Sequence, residues 1–255
     1  MISRQIDDLV MLFGFVSPFR VHVASTKNEN QSSPVDKADN LSKRFQFKEA
    51  LDVLQDLDES DSEVLWRLAK CYCDLASVEE AASQKRDYIS KAVKFAEQSL
   101  IDNDDCINCH KYFAKSIGEE ARYHRNALDS SVKIQSHLSK CLELGSRDPE
   151  VYYLYGSWAF VMSIVPGWIK SFASIFTKVP STSFEEAREN FEKAESLSPN
   201  FMCRNQLALG KTLVRLKRND DAKYWLEKAC NFQCHPDDFK CHNDVLDAKR
   251  FCKKS

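Results

Sequence analysis

The chain has 255 residues, a formal net charge of −2, and 43% hydrophobic and 29% charged residues. A net charge this close to zero excludes a general attraction to nucleic acid. With only six glycines and seven prolines, the composition favours a soluble, mostly helical protein, and the length allows one elongated repeat domain or two small globular ones.

The first segment, residues 1–35, is predicted to be a poorly ordered leader followed by a linker. Its apolar run, Leu9–Val16, has eight residues, whereas a transmembrane helix needs roughly 20. Asp7 and Asp8 lie where a signal or transit peptide is basic or poor in acids, and the polar stretch Ser25–Pro34 is typical of a linker. We therefore expect no transmembrane segment, with a short interfacial anchor as the alternative.

Residues 36–255 are predicted to form one repeat domain of five helical hairpins. A helix start is indicated at Ser62, followed by Glu63. Each hairpin is marked by two residues, the last apolar position of its first helix and the first small or apolar position of its second helix. In chain order these pairs are Leu41 with Ala50, Tyr72 with Ala92, Ile117 with Ile134, Ala159 with Ala187, and Leu213 with Ala222.

The repeat is clearest near the C-terminus, where Ala187, Phe191 and Ala194 recur 35 residues later as Ala222, Leu226 and Ala229. Small residues occupy positions where two helices approach closely, and a large residue fills the space beside them. This spacing is typical of the second helix of a tetratricopeptide hairpin. The pattern predicts an all-α, tetratricopeptide-like helical-hairpin solenoid.

The spacing between paired helices is uneven. Leu41 and Ala50 are nine residues apart, as are Leu213 and Ala222, but the three central pairs are further apart. We therefore predict extended central hairpins, with longer helices or larger inserts. The last segment, Pro236–Lys254, is predicted to be a capping helix that covers the final apolar face.

Three sequence strings resemble the regulator of microtubule dynamics family: Leu65–Lys70 (LWRLAK), Pro180–Ala187 (PSTSFEEA) and Ser198–Thr212 (SPNFMCRNQLALGKT). The resemblance extends over roughly Asp36 to Phe251. It implies a tetratricopeptide-like fold and association with microtubules and spindle poles. Some members of the family carry an N-terminal membrane segment, lie at contacts between organelles and bind phospholipid, so the resemblance also implies an organelle surface as a second location.

Two groups of residues suggest a partner site. A solenoid exposes one long groove lined by first helices, and its predicted partner-binding residues are Trp66, Arg67, Lys70, Lys111, Tyr112 and Lys115. Basic residues that suit the acidic surface of tubulin are Lys211, Arg215, Lys217, Arg218, Lys249 and Arg250. The alternative for such charges is an ordinary solvated surface.

An apolar stripe lies in the longest insert and has two interpretations. It packs against the hairpins, or it lines an apolar pocket or touches a membrane. Its pocket-lining members are Trp168, Ile169, Phe172, Ile175 and Phe176.

The cysteine motifs are only weak indications of a cofactor or metal site. Cys106-Ile-Asn-Cys109-His110 matches a haem-attachment motif, and Cys230, Cys234, His235, Cys241 and His242 are zinc-ligand types without the usual paired spacing. Because the ten cysteines are scattered through helical segments and we expect no secretion signal, we predict reduced, packing thiols. We predict no cofactor and no metal.

With no recognisable catalytic arrangement, the chain is predicted not to be an enzyme. The leading hypothesis is a cytoplasmic, non-enzymatic protein that binds tubulin or microtubules through its basic residues. Its groove is predicted to bind a protein partner. The alternative is a phospholipid-binding or transfer module at an organelle contact site.

Overall fold

The computed structural model describes residues 33–101, 103–123, 127–169 and 181–253, and the regular elements in these ranges are α-helices. The predicted leader lies outside the described residues up to Ser32. In chain order the helices are α1 (Pro34–Lys43), α2 (Phe47–Gln55), α3 (Ser62–Val78), α4 (Ala82–Ser99), α5 (Ile107–Glu120), α6 (Ala127–Glu143), α7 (Pro149–Ile164), α8 (Phe184–Leu197), α9 (Cys203–Arg215), α10 (Asn219–Cys230) and α11 (Phe239–Cys252).

The described helices belong to two compact units that divide between Glu120 and Ala121. The N-terminal unit contains α1–α5, and the C-terminal unit contains α6–α11. The third predicted hairpin, α5 followed by α6, falls across this division. The other four predicted hairpins each lie within one unit, and in each of them the two helices pack against each other.

In the N-terminal unit, small residues allow the helices to approach closely. Ala50, Ala92 and Ala96 on the second helices are completely buried, and Leu54 and Leu68 pack in one apolar cluster with Ala50. Ala50 and Ala92 are the small positions that the sequence pattern predicted for the second helices. α5 packs against α3 and α4 and so adds a further layer to the second hairpin.

Side-chain caps explain where two of these helices begin. The Ser33 hydroxyl accepts from the backbone N–H of Asp36, whose carboxylate in turn bonds the backbone N–H of Ser33, a capping box that satisfies two otherwise unpaired donors. α1 therefore begins at Pro34, inside the segment predicted as linker. The start at Ser62 is confirmed, with Asp61 as the N-cap.

The second hairpin is long because both of its helices are long. α3 has 17 residues and α4 has 18, compared with 10 and 9 in α1 and α2. A link of three residues, 79–81, joins them. In this hairpin the surplus between Tyr72 and Ala92 is taken up by helix length. In the fourth hairpin the surplus lies in the connection between α7 and α8.

In the C-terminal unit, the 35-residue repeat has a direct structural basis. A methyl group added at Gly156 would lie 2.8 Å from the ring of Phe191, and one added at Gly210 would lie 2.7 Å from the side chain of Leu226. The large residue of each second helix thus rests on a glycine of the first helix. α11 packs against α9 and α10, which confirms the predicted C-terminal helix.

Two disulfide bonds correct the expectation of reduced thiols throughout. Cys106 is bonded to Cys109, and Cys234 is bonded to Cys241. The first pair is three residues apart at the start of α5, where side chains at i and i+3 share one face. The second pair forms because the link after α10 brings Cys234 next to Cys241, which lies in the first turn of α11. Neither pairing follows from sequence spacing alone.

Candidate functional site

The six residues predicted to line a groove come together between α3 and α5. Trp66 stacks on Tyr112 with ring centroids 5.4 Å apart and planes 2° from parallel. The Arg67 guanidinium lies 4.1 Å from the centre of the Trp66 ring, and the Lys111 and Lys115 ammonium groups lie 4.6 and 5.4 Å from that of Tyr112. We call Trp66, Arg67, Lys70, Lys111, Tyr112 and Lys115 the aromatic–basic cluster.

The aromatic–basic cluster is mostly buried. The exposed fraction is 6% for Trp66, 5% for Lys111, 2% for Tyr112 and 0% for Lys115. Alternating cations and aromatic rings stabilise each other through the negative ring faces, so the cluster contributes to the contact between α3 and α5. The sequence predicts that these side chains line an open groove, but in the structure these four, Trp66, Lys111, Tyr112 and Lys115, are buried.

Acidic residues pair with Arg67 and Lys70, two cations of the cluster. Arg67 donates to both carboxylate oxygens of Asp39 at 3.1 Å and to Glu63 at 2.8 Å. Lys70 donates to Asp74 at 2.6 Å. Burial by itself lowers the pKa of Lys70, but the nearby Asp74 carboxylate and Cys71 together outweigh it, and the pKa of Lys70 is raised. Both cations are therefore held charged by neighbours within the unit.

The second predicted group lies at the surface of the C-terminal unit. Lys211 and Arg215 lie on α9, Lys217 and Arg218 form the turn before α10, and Lys249 and Arg250 lie in the last turn of α11. All except Lys211 are exposed. We call these six residues the basic surface.

The helix that carries Lys249 and Arg250, α11, packs on the helix that carries Lys211 and Arg215, α9. The Lys211 ammonium lies 5.2 Å from the centre of the Phe251 ring, next in sequence to Arg250. Lys217 adopts a left-handed backbone conformation with φ 60°, which turns the chain sharply between α9 and α10. The two halves are 31 or more positions apart in the sequence, and the packing of the helices brings the end of α11 against α9.

Some of these basic side chains also stabilise the helices that carry them. Arg218 pairs with Asp221 at 2.7 Å, and Arg250 pairs with Asp247 at 3.2 Å. Cations in the last turn of a helix also interact favourably with its terminal carbonyl groups, which applies to Arg215 and Lys249. Exposed pairs of this kind contribute less than about 1 kcal/mol each.

Sequence reasoning missed a buried polar network around Glu195. Its carboxylate accepts hydrogen bonds from Asn205 at 3.3 Å, Gln206 at 3.2 Å, Lys228 at 3.1 Å and the backbone of Asn200 at 2.9 Å. One acidic side chain thereby connects α8, α9 and α10. The available signal was the polar pair Asn205–Gln206 at helical positions that otherwise face the core.

The apolar stripe is only partly described. Trp168 is 71% exposed and Ile169 is half-buried. Phe172, Ile175 and Phe176 lie outside the described residues, so the predicted pocket remains a prediction. No helix within the described ranges is long and apolar enough to cross a membrane.

The cysteine motifs have structural explanations. Cys106 and Cys109 are bonded to each other, and His110 is buried with its ring nitrogen 2.8 Å from the carbonyl oxygen of Asp104. Two of the five zinc-ligand candidates, Cys234 and Cys241, form a disulfide. Across the part of the chain that the structure describes, no group of three His, Cys, Asp or Glu side chains is placed to hold a metal.

Paired helices packed through small residues define a helical-repeat protein of the tetratricopeptide type. A solved tetratricopeptide-repeat protein from the thermophile Thermus thermophilus superimposes with a TM-score of 0.57 at 13% identity, covering 85% of this chain and 97% of the other. At this identity the likeness concerns the fold.

The family model of regulator of microtubule dynamics proteins 1-3 matches residues 35–252, and the chain belongs to this family. The bovine (Bos taurus) regulator of microtubule dynamics protein 1 is 29% identical over 86% of this chain and 71% of its own length. The mouse (Mus musculus) protein 1 is 30% identical over 74% of this chain and 63% of its own length. The Xenopus laevis protein 3 is 31% identical over 66% of this chain and 37% of its own length.

Proposed function

We propose that this chain is a non-enzymatic, microtubule-associated repeat protein that attaches to tubulin through its basic surface. Its relatives are named as regulators of microtubule dynamics, and tubulin is strongly acidic. The observation that supports the site is the contact of Lys211 with Phe251, because it brings the end of α11, which carries Lys249 and Arg250, against α9. We expect the protein in the cytoplasm, on microtubules or at spindle poles.

Electrostatic attachment has a characteristic dependence on salt concentration. Charges at the edge of an interface mainly raise the association rate, and salt screens their attraction over about 8 Å at physiological ionic strength. We therefore expect binding that weakens steeply as salt increases. The buried aromatic–basic cluster is assigned a packing role, and a protein partner is expected at the exposed residues instead.

Co-sedimentation with polymerised tubulin tests this proposal. Replacing Arg215, Lys217 and Lys249 by glutamate reverses three exposed charges and should weaken binding at least about tenfold at low salt.

A matched control reverses the same number of charges in the N-terminal unit, where Lys43, Arg44 and Lys48 are also exposed near a helix end and turn. This control should bind within about twofold of the wild type, because it leaves the basic surface unchanged. Equal losses in both triple variants would show that net charge, and not this surface, determines binding. No loss in either would refute the site.

A phospholipid-binding module is the second candidate, and it has one observation in its favour. The 71% exposure of Trp168 places a large aromatic side chain in water, and tryptophan is enriched at membrane interfaces. Flotation with vesicles of mixed neutral and anionic phospholipid tests it. The wild type should float and Trp168→Ser should lose most of that binding; a wild type that stays in the dense fraction excludes this candidate.

A further inference from the structure

Five of the ten cysteines meet in one region of the C-terminal unit. Cys203, Cys230, Cys234 and Cys241 belong to a single hydrophobic cluster beneath α11, and Cys252 contacts Cys230. The Cys234–Cys241 disulfide already ties the start of α11 to the link that follows α10. The far end of α11 has no such bond in the described chain.

A second pair of thiols lies at that far end. The sulfur atoms of Cys230 and Cys252 are 3.1 Å apart, and a disulfide bond is about 2.05 Å long. Cys230 is the last residue of α10, and Cys252 is the last residue of α11. The remaining distance of about 1 Å is small, and both residues lie at helix ends, which fray more easily than helix interiors.

We infer that Cys230 and Cys252 are an oxidation site that forms a second, reversible disulfide and fastens the end of α11 to the end of α10. The oxidant is a hydroperoxide such as hydrogen peroxide. This inference goes beyond microtubule attachment and does not depend on it.

The reaction proceeds in two balanced steps. The exposed sulfur of Cys252 attacks the O–O bond, which breaks to give a sulfenic acid and one water. The Cys230 sulfur then attacks the Cys252 sulfur, forms the S–S bond and releases a second water. The two thiols lose two electrons and two protons in total, and one peroxide is reduced to two waters. A low-molecular-weight thiol such as glutathione reverses the bond by exchange.

The surroundings assign the order of attack. Cys252 is exposed and Cys230 is half-buried, so peroxide reaches Cys252 first. Burial, followed by the contact with Cys252, raises the pKa of Cys230 to about 11. Cys230 therefore remains a protonated thiol while Cys252 reacts with peroxide, and it reacts only afterwards, with the sulfenic acid of Cys252.

Other thiols in the described chain are poorly placed for this chemistry. Cys71 and Cys73 are buried and lie within 3.7 and 3.5 Å of the hydroxyl oxygens of Ser42 and Ser116. Cys203 is buried and donates to the carbonyl oxygen of Ala229 at 3.4 Å. Burial hides these sulfur atoms from peroxide, so we expect exposed Cys252 and its neighbour Cys230 to react selectively.

Intact-mass spectrometry with peptide mapping tests the inference on the full chain. Protein is treated with a small excess of hydrogen peroxide, blocked with N-ethylmaleimide and digested without reductant. We expect a mass loss of about two hydrogens, two fewer labelled thiols, and a cross-linked peptide that joins Cys230 to Cys252. Dithiothreitol should restore both labels.

Variants give the test its controls. Cys252→Ser alters an exposed side chain and should abolish the cross-link without unfolding the protein, and Cys230→Ser should leave Cys252 to over-oxidise. Cys71→Ala removes a distant buried thiol and should leave the cross-link unchanged. A wild type in which Cys252 over-oxidises without a cross-link, or in which Cys252 bonds another cysteine, would overturn the inference.

Hydrogen exchange measures the consequence for the fold. Because the new bond closes a second loop around α11, amide exchange in α11 should slow at least about tenfold after oxidation. Exchange in α1 and α2 should not change, and Cys252→Ser should show no slowing. An oxidised protein whose α11 exchanges at its original rate would contradict the fastening role.

Discussion

Substitution of Gly156 by alanine tests the packing that underlies the repeat. The new methyl group would lie 2.8 Å from two ring carbons of Phe191 and 3.1 Å from the carbonyl oxygen of Ala187. Phe191 is completely buried, so its ring has no free space to enter, and the backbone oxygen moves only with α8. Because neither neighbour can move aside, the overpacking should cost about 2–3 kcal/mol, the upper part of the usual range, whereas alanine gains about 1 kcal/mol of helix propensity over glycine.

We therefore expect Gly156→Ala to reduce the free energy of unfolding by about 1–2 kcal/mol. Urea denaturation followed by circular dichroism measures this change. Gly210→Ala is the matched comparison, because its methyl group would meet mainly the side chain of Leu226, an aliphatic group that adjusts more easily than a ring. It should cost less than Gly156→Ala.

A double variant separates packing from other effects. Phe191→Leu on its own removes contacts, but combined with Gly156→Ala it makes room for the methyl group. The two changes should therefore couple by at least about 1 kcal/mol in the favourable direction. If Gly156→Ala is as stable as the wild type, or if the two changes are additive, α7 and α8 do not approach in the way described and the reasoning fails.

Two further predictions concern buried groups. Glu195→Ala removes the acceptor of Lys228 and one of the two acceptors of each buried amide, while the bonds of Asn205 to Phe191 and of Gln206 to Asn200 remain. The free energy of unfolding should therefore fall by about 2 kcal/mol. A loss below about 1 kcal/mol in urea denaturation would show that the network is dispensable. Burial raises the pKa of Cys73 to about 12 from an ordinary value near 9, which strongly lowers its thiolate fraction. Iodoacetamide at about pH 8, close to the ordinary thiol pKa, should therefore label exposed Cys252 well before Cys73, and comparable rates would contradict the burial of Cys73.

The predicted groove shows why the candidate site was only partly predictable. Positions beside the core code on first helices do come together, since helical periodicity places Trp66 and Lys70 on one face of α3. Whether that face is open depends on what packs over it, and Lys115 is completely buried. Helix periodicity identifies a shared face, but it carries no information about neighbours that are distant in the chain.

The sequence by itself determined the helical hairpins, because small and large apolar residues at fixed helical intervals specify which helix faces can approach closely. Ala187, Phe191 and Ala194 are completely buried where that pattern predicted. Tertiary structure alone decided the pairings between distant residues: the bond between Cys234 and Cys241, the contact of Lys211 with Phe251, and the approach of Cys230 to Cys252. The physical reason is that side-chain spacing along a helix is a local property, whereas these contacts depend on how α9, α10 and α11 pack in three dimensions.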